Sequence, residues 1–294
     1  YGDHRDLHVR SRRQRQMCIR DSAYAAYMAK KMMKSSGIKI PLVTTLHGTD
    51  ITLVGNHPFY KPAVKFSIEE SDVVTSVSES LKQDTIDFFG IKRDIRVVSN
   101  FVDLNKFKTQ LLRCNTDNEN FKVITHVSNF RPVKNIRGVI EFFEKISKRI
   151  KCRFKLIGEG PELDISKQLV KEKNIENVEF LGNTQDVEKE LCHSDLFILP
   201  SKTESFGLAA LEAMASKVVV ISSNSGGLPE VNIHGETGFL SNYNDIDKMV
   251  EYAELVLNDE TLLTKMKENA FIRAQKFDIN NVISSYEAIY KSLT

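Results

Sequence analysis

The chain has 294 residues, 41% hydrophobic and 27% charged, with a formal net charge of +2. That length and composition can fill two globular domains and exclude a chain disordered throughout. No apolar run approaches the roughly 18 residues that span a bilayer and no secretory signal opens the chain, so a cytoplasmic location without a membrane span is expected.

Residues 1–22 carry six Arg and three Asp, a local +3, and subtracting this from +2 leaves −1 on the rest. The segment has no helical or strand periodicity. A basic arm for nucleic acid is one reading. We prefer another: RRQRQMCIRDS resembles translated adapter sequence, so residues 1–21 are set aside as non-native or disordered, and no nucleic-acid partner is expected.

From Ser22 a regular pattern begins. SAYAAYMAKKMMKSSG reads as a helix ending at Gly37, and IPLVTTLHGTD as a buried strand running into a loop at His47. Residues 56–71 read as a helix, 73–77 as a strand, 79–89 as a helix stopped by Gly90, and 95–99 as a strand. This alternation predicts a parallel sheet. A doubly wound half normally holds five or six strands, so the first domain, residues 22–104, is expected to be truncated by roughly 100 residues.

Residues 105–120 are polar, lack an apolar stripe and read as an interdomain linker. A second alternating series fills residues 121–277: KVITHVSN, a loop NFRPVKN, a helix over 136–150 with Ile136, Val139, Ile140, Phe143 and Ile146 on one face, then RFKLIGEG, NVEFLG, LFILP and VVVISS with helices between. We expect seven βα units here. From Asp245 the chain is helical, and residues 278–294 are expected to cross back and brace the first domain. Cys18, Cys114, Cys152 and Cys192 form no Cys-x-x-Cys pair, which points to core or neutral surface thiols rather than a disulfide framework or zinc knuckle.

Four stretches carry chemistry. In SKTESFGLAALEAMAS, after the strand LFILP, Glu204 lies on a polar loop, Phe206, Gly207 and Leu208 open a helix, and Glu212 lies inside it. Both carboxylates are expected in one crevice beyond the strand ends, beside a helix N-terminus that offers N–H groups to an anion. Solvated helices also carry glutamates at this spacing. Arg131 and Lys134 in SNFRPVKN sit between a strand and a helix, where a guanidinium and an ammonium can neutralise a leaving diphosphate; two solvated loop cations are the plainer reading. His47 follows a strand of the other domain, with Thr49 and Asp50 as acceptor-side candidates, although Asp50 can equally serve as an N-cap. Gly226 and Gly227 can let backbone N–H groups approach a ligand, or simply make a turn.

THVSNFRPVKN, LIGEGPEL, LFILPSKTESFGLAALEAMA, SGGLPEV and HGETGFL stand in the order found in family 4 retaining glycosyltransferases, and the chain from Ser22 resembles that family. PLVTTLHGTDITLVGNHPF, DVVTSVSESLK and VVSNFVDLNKF are similar to members that glycosylate a small hydroxy acid, L-malate, in bacillithiol synthesis. The resemblance implies an α/β GT-B fold, two Rossmann-like doubly wound domains facing across a cleft. It implies UDP-N-acetylglucosamine as donor, Glu212 on the ribose hydroxyls, Glu204 near the sugar, Arg131 and Lys134 on the diphosphate, the Phe206–Leu208 backbone and Gly227 beside the donor, and His47 opposite. Other glycosyltransferases hold a metal with Asp-x-Asp. Asp245-Ile246-Asp247 precedes an amphipathic helix, where capping explains it better, so neither metal nor cofactor is expected. A homo-oligomer is compatible with this reading. Another acceptor, polysaccharide or lipid, and a non-catalytic nucleotide-sugar-binding module stay open. The Gly-rich loop that opens family members does not precede Ser22, so weak UDP binding and poor turnover are expected.

Overall fold

In the computed structural model of the chain, residues 19–48, 51, 60–114 and 121–293 are described. They form two compact units, the first running to Ser99 and resuming at Ile283, the second Asn100–Val282. No helix among the described residues is long and apolar enough to cross a membrane.

The first unit contains α1 (Ile19–Ser35), β1 (Val43–Leu46), α2 (Lys61–Glu69), β2 (Val73–Ser76), α3 (Glu79–Phe89) and β3 (Arg96–Val97). Its three strands are parallel, in the order β1-β2-β3, with Val43 opposite Val73 and Thr75 opposite Arg96. All four residues of β2 are buried, as a central parallel strand requires. α3 has the bounds its sequence predicts. The Ser78 side chain caps its start by accepting from the Leu81 N–H, and Gly90 ends it at φ +62°, a left-handed conformation that glycine adopts without strain.

The second unit begins with α4 (Leu104–Arg113) and continues through β4 (Lys122–Val127), a 3₁₀ turn (Pro132–Lys134), α5 (Ile136–Ser147), β5 (Cys152–Ile157), α6 (Leu163–Glu172), β6 (Val178–Gly182) and α7 (Val187–Leu191). Then follow β7 (Leu196–Leu199), α8 (Leu208–Ala215), β8 (Val219–Ser223), α9 (Leu228–Val231), β9 (Gly238–Ser241), α10 (Ile246–Asn258) and α11 (Glu260–Gln275). A last helix, α12 (Ile279–Lys291), carries the chain from the second unit's end into the first unit's closing segment.

The sheet has six strands, not the seven units expected, all parallel in the order β6-β5-β4-β7-β8-β9. From β4 the order runs outward through β5 and β6 on one side and β7 to β9 on the other. The β4/β7 pair is therefore the switch point, where two loops diverge and leave a crevice beyond the strand ends. The α5 residues Ile136, Val139, Ile140, Phe143 and Ile146 are all buried, and the Phe143 ring stacks on Phe154 of β5 with centroids 4.2 Å apart.

The expected linker is corrected over most of its described length. Residues 104–113 form α4, N-capped by Asp103, and Leu104 and Phe107 are buried. Leu104, Phe107 and Leu111 are its apolar face, three residues set among Lys, Asn, Thr and Gln, which leave no wide stripe to read. The boundary between the units falls after Ser99 rather than after residue 104.

Candidate functional site

The site is built from the loops that leave the switch point. β4 delivers His126, fully buried, whose Nδ1–H donates to the Ile198 carbonyl at 2.8 Å. Its Nε2 is then an acceptor, and the Ser128 hydroxyl donates to it at 2.8 Å while accepting from the Phe130 N–H at 3.2 Å. Burial drives the imidazole's pKa down to about 4, and the Lys134 charge pushes the same way, so the ring is neutral near pH 7. Phe130 is buried at φ +42°, a strained conformation held by this hydrogen bonding and by its surroundings. Gly158, at φ +125°, and Gly160 bring the β5–α6 loop against this one: a Cβ on either would lie 1.8 Å from the Ser128 carbonyl oxygen or 1.9 Å from that of Asn129.

The loop then enters the turn with Arg131 exposed and Lys134 half-buried. The Lys202 N–H donates to the Val133 carbonyl, tying the post-β7 loop alongside. Across this join Lys134 Nζ meets Glu204 Oε2 at 2.5 Å, with both side chains less than one-fifth exposed. Gly226 and Gly227 support Glu204 from behind. A Cβ on Gly226 would lie 1.9 Å from the Glu204 carbonyl oxygen, and that oxygen accepts from the Gly227 N–H at 2.9 Å. The Gly227 N–H is thus engaged within the protein. The Phe206 side chain is buried, its ring edge-on to Phe277 at 5.6 Å. Gly207, at φ +98°, starts α8 without a side-chain cap.

Beside these loops the second unit holds an open cavity of about 540 Å³. Its wall takes Ser128 and Asn129 after β4, Gly158 after β5, Thr184 after β6, and Leu208 and Glu212 from α8. The volume lies in the range of small-ligand sites. Burial raises the Glu212 carboxyl from 4.5 to about 7; the Lys106 ammonium opposes that rise and the Glu188 carboxylate adds to it. Lys106 of α4 and Glu188 of α7 also line the cavity, their charged atoms 2.9 Å apart.

Glu212 thus faces the cavity, and Glu204 is held by Lys134 on the adjoining loop. The glutamates belong to different structures, one to the loop and one to the helix, although the chain joins them through Leu208 at the rim. His47 is exposed on the loop after β1 of the first unit. Thr49 and Asp50 lie outside the described residues. Asp245 caps α10 by accepting from the Lys248 N–H at 3.1 Å, and Asp247 pairs with Lys145. Lys106 and Glu188 escaped the sequence reading, since a lysine in a polar stretch and a glutamate in DVEKEL look like solvated charges.

A family model described as glycosyl transferases group 1 matches residues 108–273, and one described as Glycosyltransferase Family 4 matches residues 19–106. N-acetyl-alpha-D-glucosaminyl L-malate synthase of Bacillus anthracis is 42% identical over 274 residues, covering 91% of this chain and 71% of that protein. Among solved structures, Anabaena Alr3699/HepE in complex with UDP and glucose superposes with a TM-score of 0.80 at 22% identity, over 93% of this chain and 75% of the other. Sucrose-phosphate synthase from Thermosynechococcus elongatus gives 0.75 at 21%, over 90% and 70%. These likenesses establish the α/β fold with two Rossmann-like domains, and the chain belongs to the group 1, family 4 glycosyltransferases of the GT-B fold.

Proposed function

We propose that the chain transfers N-acetylglucosamine from UDP-N-acetylglucosamine to the hydroxyl of L-malate, with retention at the anomeric carbon, as the first step of bacillithiol synthesis in the cytoplasm. The acceptor follows the Bacillus anthracis relative named for that synthesis. The observation that carries the donor half is the cavity at the switch point walled by Glu212.

In this reading the ribose hydroxyls donate to Glu212, the diphosphate runs past Leu208 to the start of α8, and Lys134 and Arg131 take its charge. Lys134 stands on Glu204, so a diphosphate drawing the ammonium frees that carboxylate for sugar hydroxyls. The acceptor hydroxyl attacks the face from which UDP leaves, and the departing phosphate takes its proton. Stabilising the negative leaving group is then the main catalytic demand, which two cations and a helix start meet with the chain's own groups. His47 is kept as a catalytic candidate towards the sugar, and Thr49 and Asp50 as acceptor-side candidates.

The test is UDP release from UDP-N-acetylglucosamine with and without L-malate. Malate-dependent release with an α-linked product supports the proposal. Release indifferent to malate contradicts the acceptor, and UDP binding without any release favours a binding module.

A further inference from the structure

α4 meets α7 along a single face. Lys106, Gln110 and Cys114 are spaced four residues apart and form one stripe of the helix and its C-cap. Lys106 Nζ reaches the Gln185 carbonyl at 3.3 Å and Glu188 at 2.9 Å, and Gln110 donates to Cys192 Sγ at 3.6 Å. Cys114 is joined to Cys192 by a disulfide, with Cα atoms 6.2 Å apart and a sequence separation of 78. This overturns the expectation of unlinked thiols. The first rung of the seam lines the cavity and the last is covalent.

Little else holds α4 down. It buries Leu104 and Phe107 fully and Leu111 in part, and a ten-residue helix with so few apolar anchors is marginal on its own. The surroundings of the cysteines are equally specific. Cys114 is partly exposed, Cys192 is buried, and exposed His193 places Nδ1 3.5 Å from Cys114 Sγ. Cys152, the free cysteine among the described residues, is buried, and desolvation pushes its thiol up to about 12, which keeps it protonated and inert.

We propose that Cys114 and Cys192 form a reversible thiol–disulfide site whose oxidised state clamps α4 to α7 and thereby fixes the Lys106–Glu188 wall of the nucleotide cavity. The proposal rests on the reading of that cavity as the UDP seat. The oxidant is a low-molecular-weight disulfide, RSSR. His193 takes the proton from the accessible Cys114 thiol, and the thiolate attacks one sulfur of RSSR and expels RS⁻, which regains the proton. His193 next takes the proton from the buried Cys192 thiol, whose thiolate attacks the Cys114 sulfur of the mixed disulfide and expels the second RS⁻, which takes up that proton. Two protein thiols are oxidised by two electrons, and one RSSR becomes two RSH.

A wall held in place before the ligand arrives spares the ligand the cost of ordering it, so the oxidised chain binds more tightly. We expect about a fivefold lower Kd for UDP. By reciprocity, saturating UDP must make the pair harder to reduce by the same factor, about 20 mV for a two-electron couple.

The experiment equilibrates the whole chain in glutathione and glutathione disulfide at set ratios, with EDTA present to keep metal ions off the reduced Cys114, Cys192 and His193. Peptide mapping reads the cross-link and calorimetry reads UDP affinity. A Cys114–Cys192 peptide that accompanies the tighter Kd, retained in Cys152→Ser and lost in Cys192→Ser, supports the proposal. Absence of the cross-link, or a cross-link with equal Kd in both states, overturns it. If neither state binds UDP, the cavity reading fails instead, and amide exchange over residues 104–114 then decides the clamp. Slower exchange in the oxidised chain sustains it, and identical exchange overturns it.

Discussion

Glu212 carries opposite demands from folding and from binding. Its carboxyl titrates near 4.5 when unfolded and near 7 in the folded chain, because burial disfavours the charge. Its contribution is therefore fully present below pH 4.5 and is lost as pH rises through 7, a difference of about 3 kcal/mol. Glu212→Gln is predicted to resist denaturant better than the parent at pH 8 and no better at pH 4, measured by urea unfolding at both. Lys134 and Glu204 make the complementary case. Lys134→Ala should lower the melting temperature by leaving a half-buried carboxylate unpaired, and adding Glu204→Ala should restore stability without restoring sugar transfer. These four charged positions, Arg131 with them, were legible in sequence because each lies just beyond a strand or in the helix that follows. What could not be read was which of them meet. Glu204 and Glu212 are divided between loop and cavity by the backbone path through Gly207, and the partners Lys106 and Glu188 come from two other helices, 106 and 24 residues from Glu212 in sequence.

At the scale of elements, glycines set the loop positions. Gly226 sits at φ +58° with the Glu204 carbonyl where a Cβ would go. Gly226→Ala is predicted to cost at least about 2 kcal/mol, from conformational strain together with the steric clash, and to disorder the Glu204 loop. Thermal unfolding of that variant against Gly235→Ala, which shares a positive φ but faces open space, separates the clash from the strain. α3 was readable residue for residue because a serine cap and a glycine stop bracket it, and α5 was readable in its start and buried face, though it ends at Ser147 rather than at residue 150, because its apolar stripe is broad. α4 was missed because Leu104, Phe107 and Leu111 sit in a stretch that is otherwise rich in Lys, Asn, Thr and Gln, and β9 because its four residues begin at a glycine and are only half buried. The disulfide was beyond sequence reasoning, since the fold alone brings Cys114 to Cys192.

Across the whole molecule, stability near neutral pH depends on keeping His126 uncharged between β4 and β7. The unfolded imidazole titrates near 6.5 and the folded one near 4, so stability is full above 6.5 and falls as pH drops towards 4, by about 3 kcal/mol. His126→Gln is predicted to flatten acid unfolding between these pH values, read by circular dichroism. The alternation of strands and helices was enough to predict two parallel-sheet domains. The strand order was not in the sequence, and it is the order that puts the β4 and β7 loops side by side at the switch point. The central claim is that this crevice seats UDP on Glu212. Its most direct test is calorimetric titration of UDP into the parent chain and into Glu212→Ala at pH 8. The account predicts one UDP per chain and at least about tenfold weaker binding by the variant, the loss expected for hydrogen bonds to a charged group. Equal affinity in the two would contradict it.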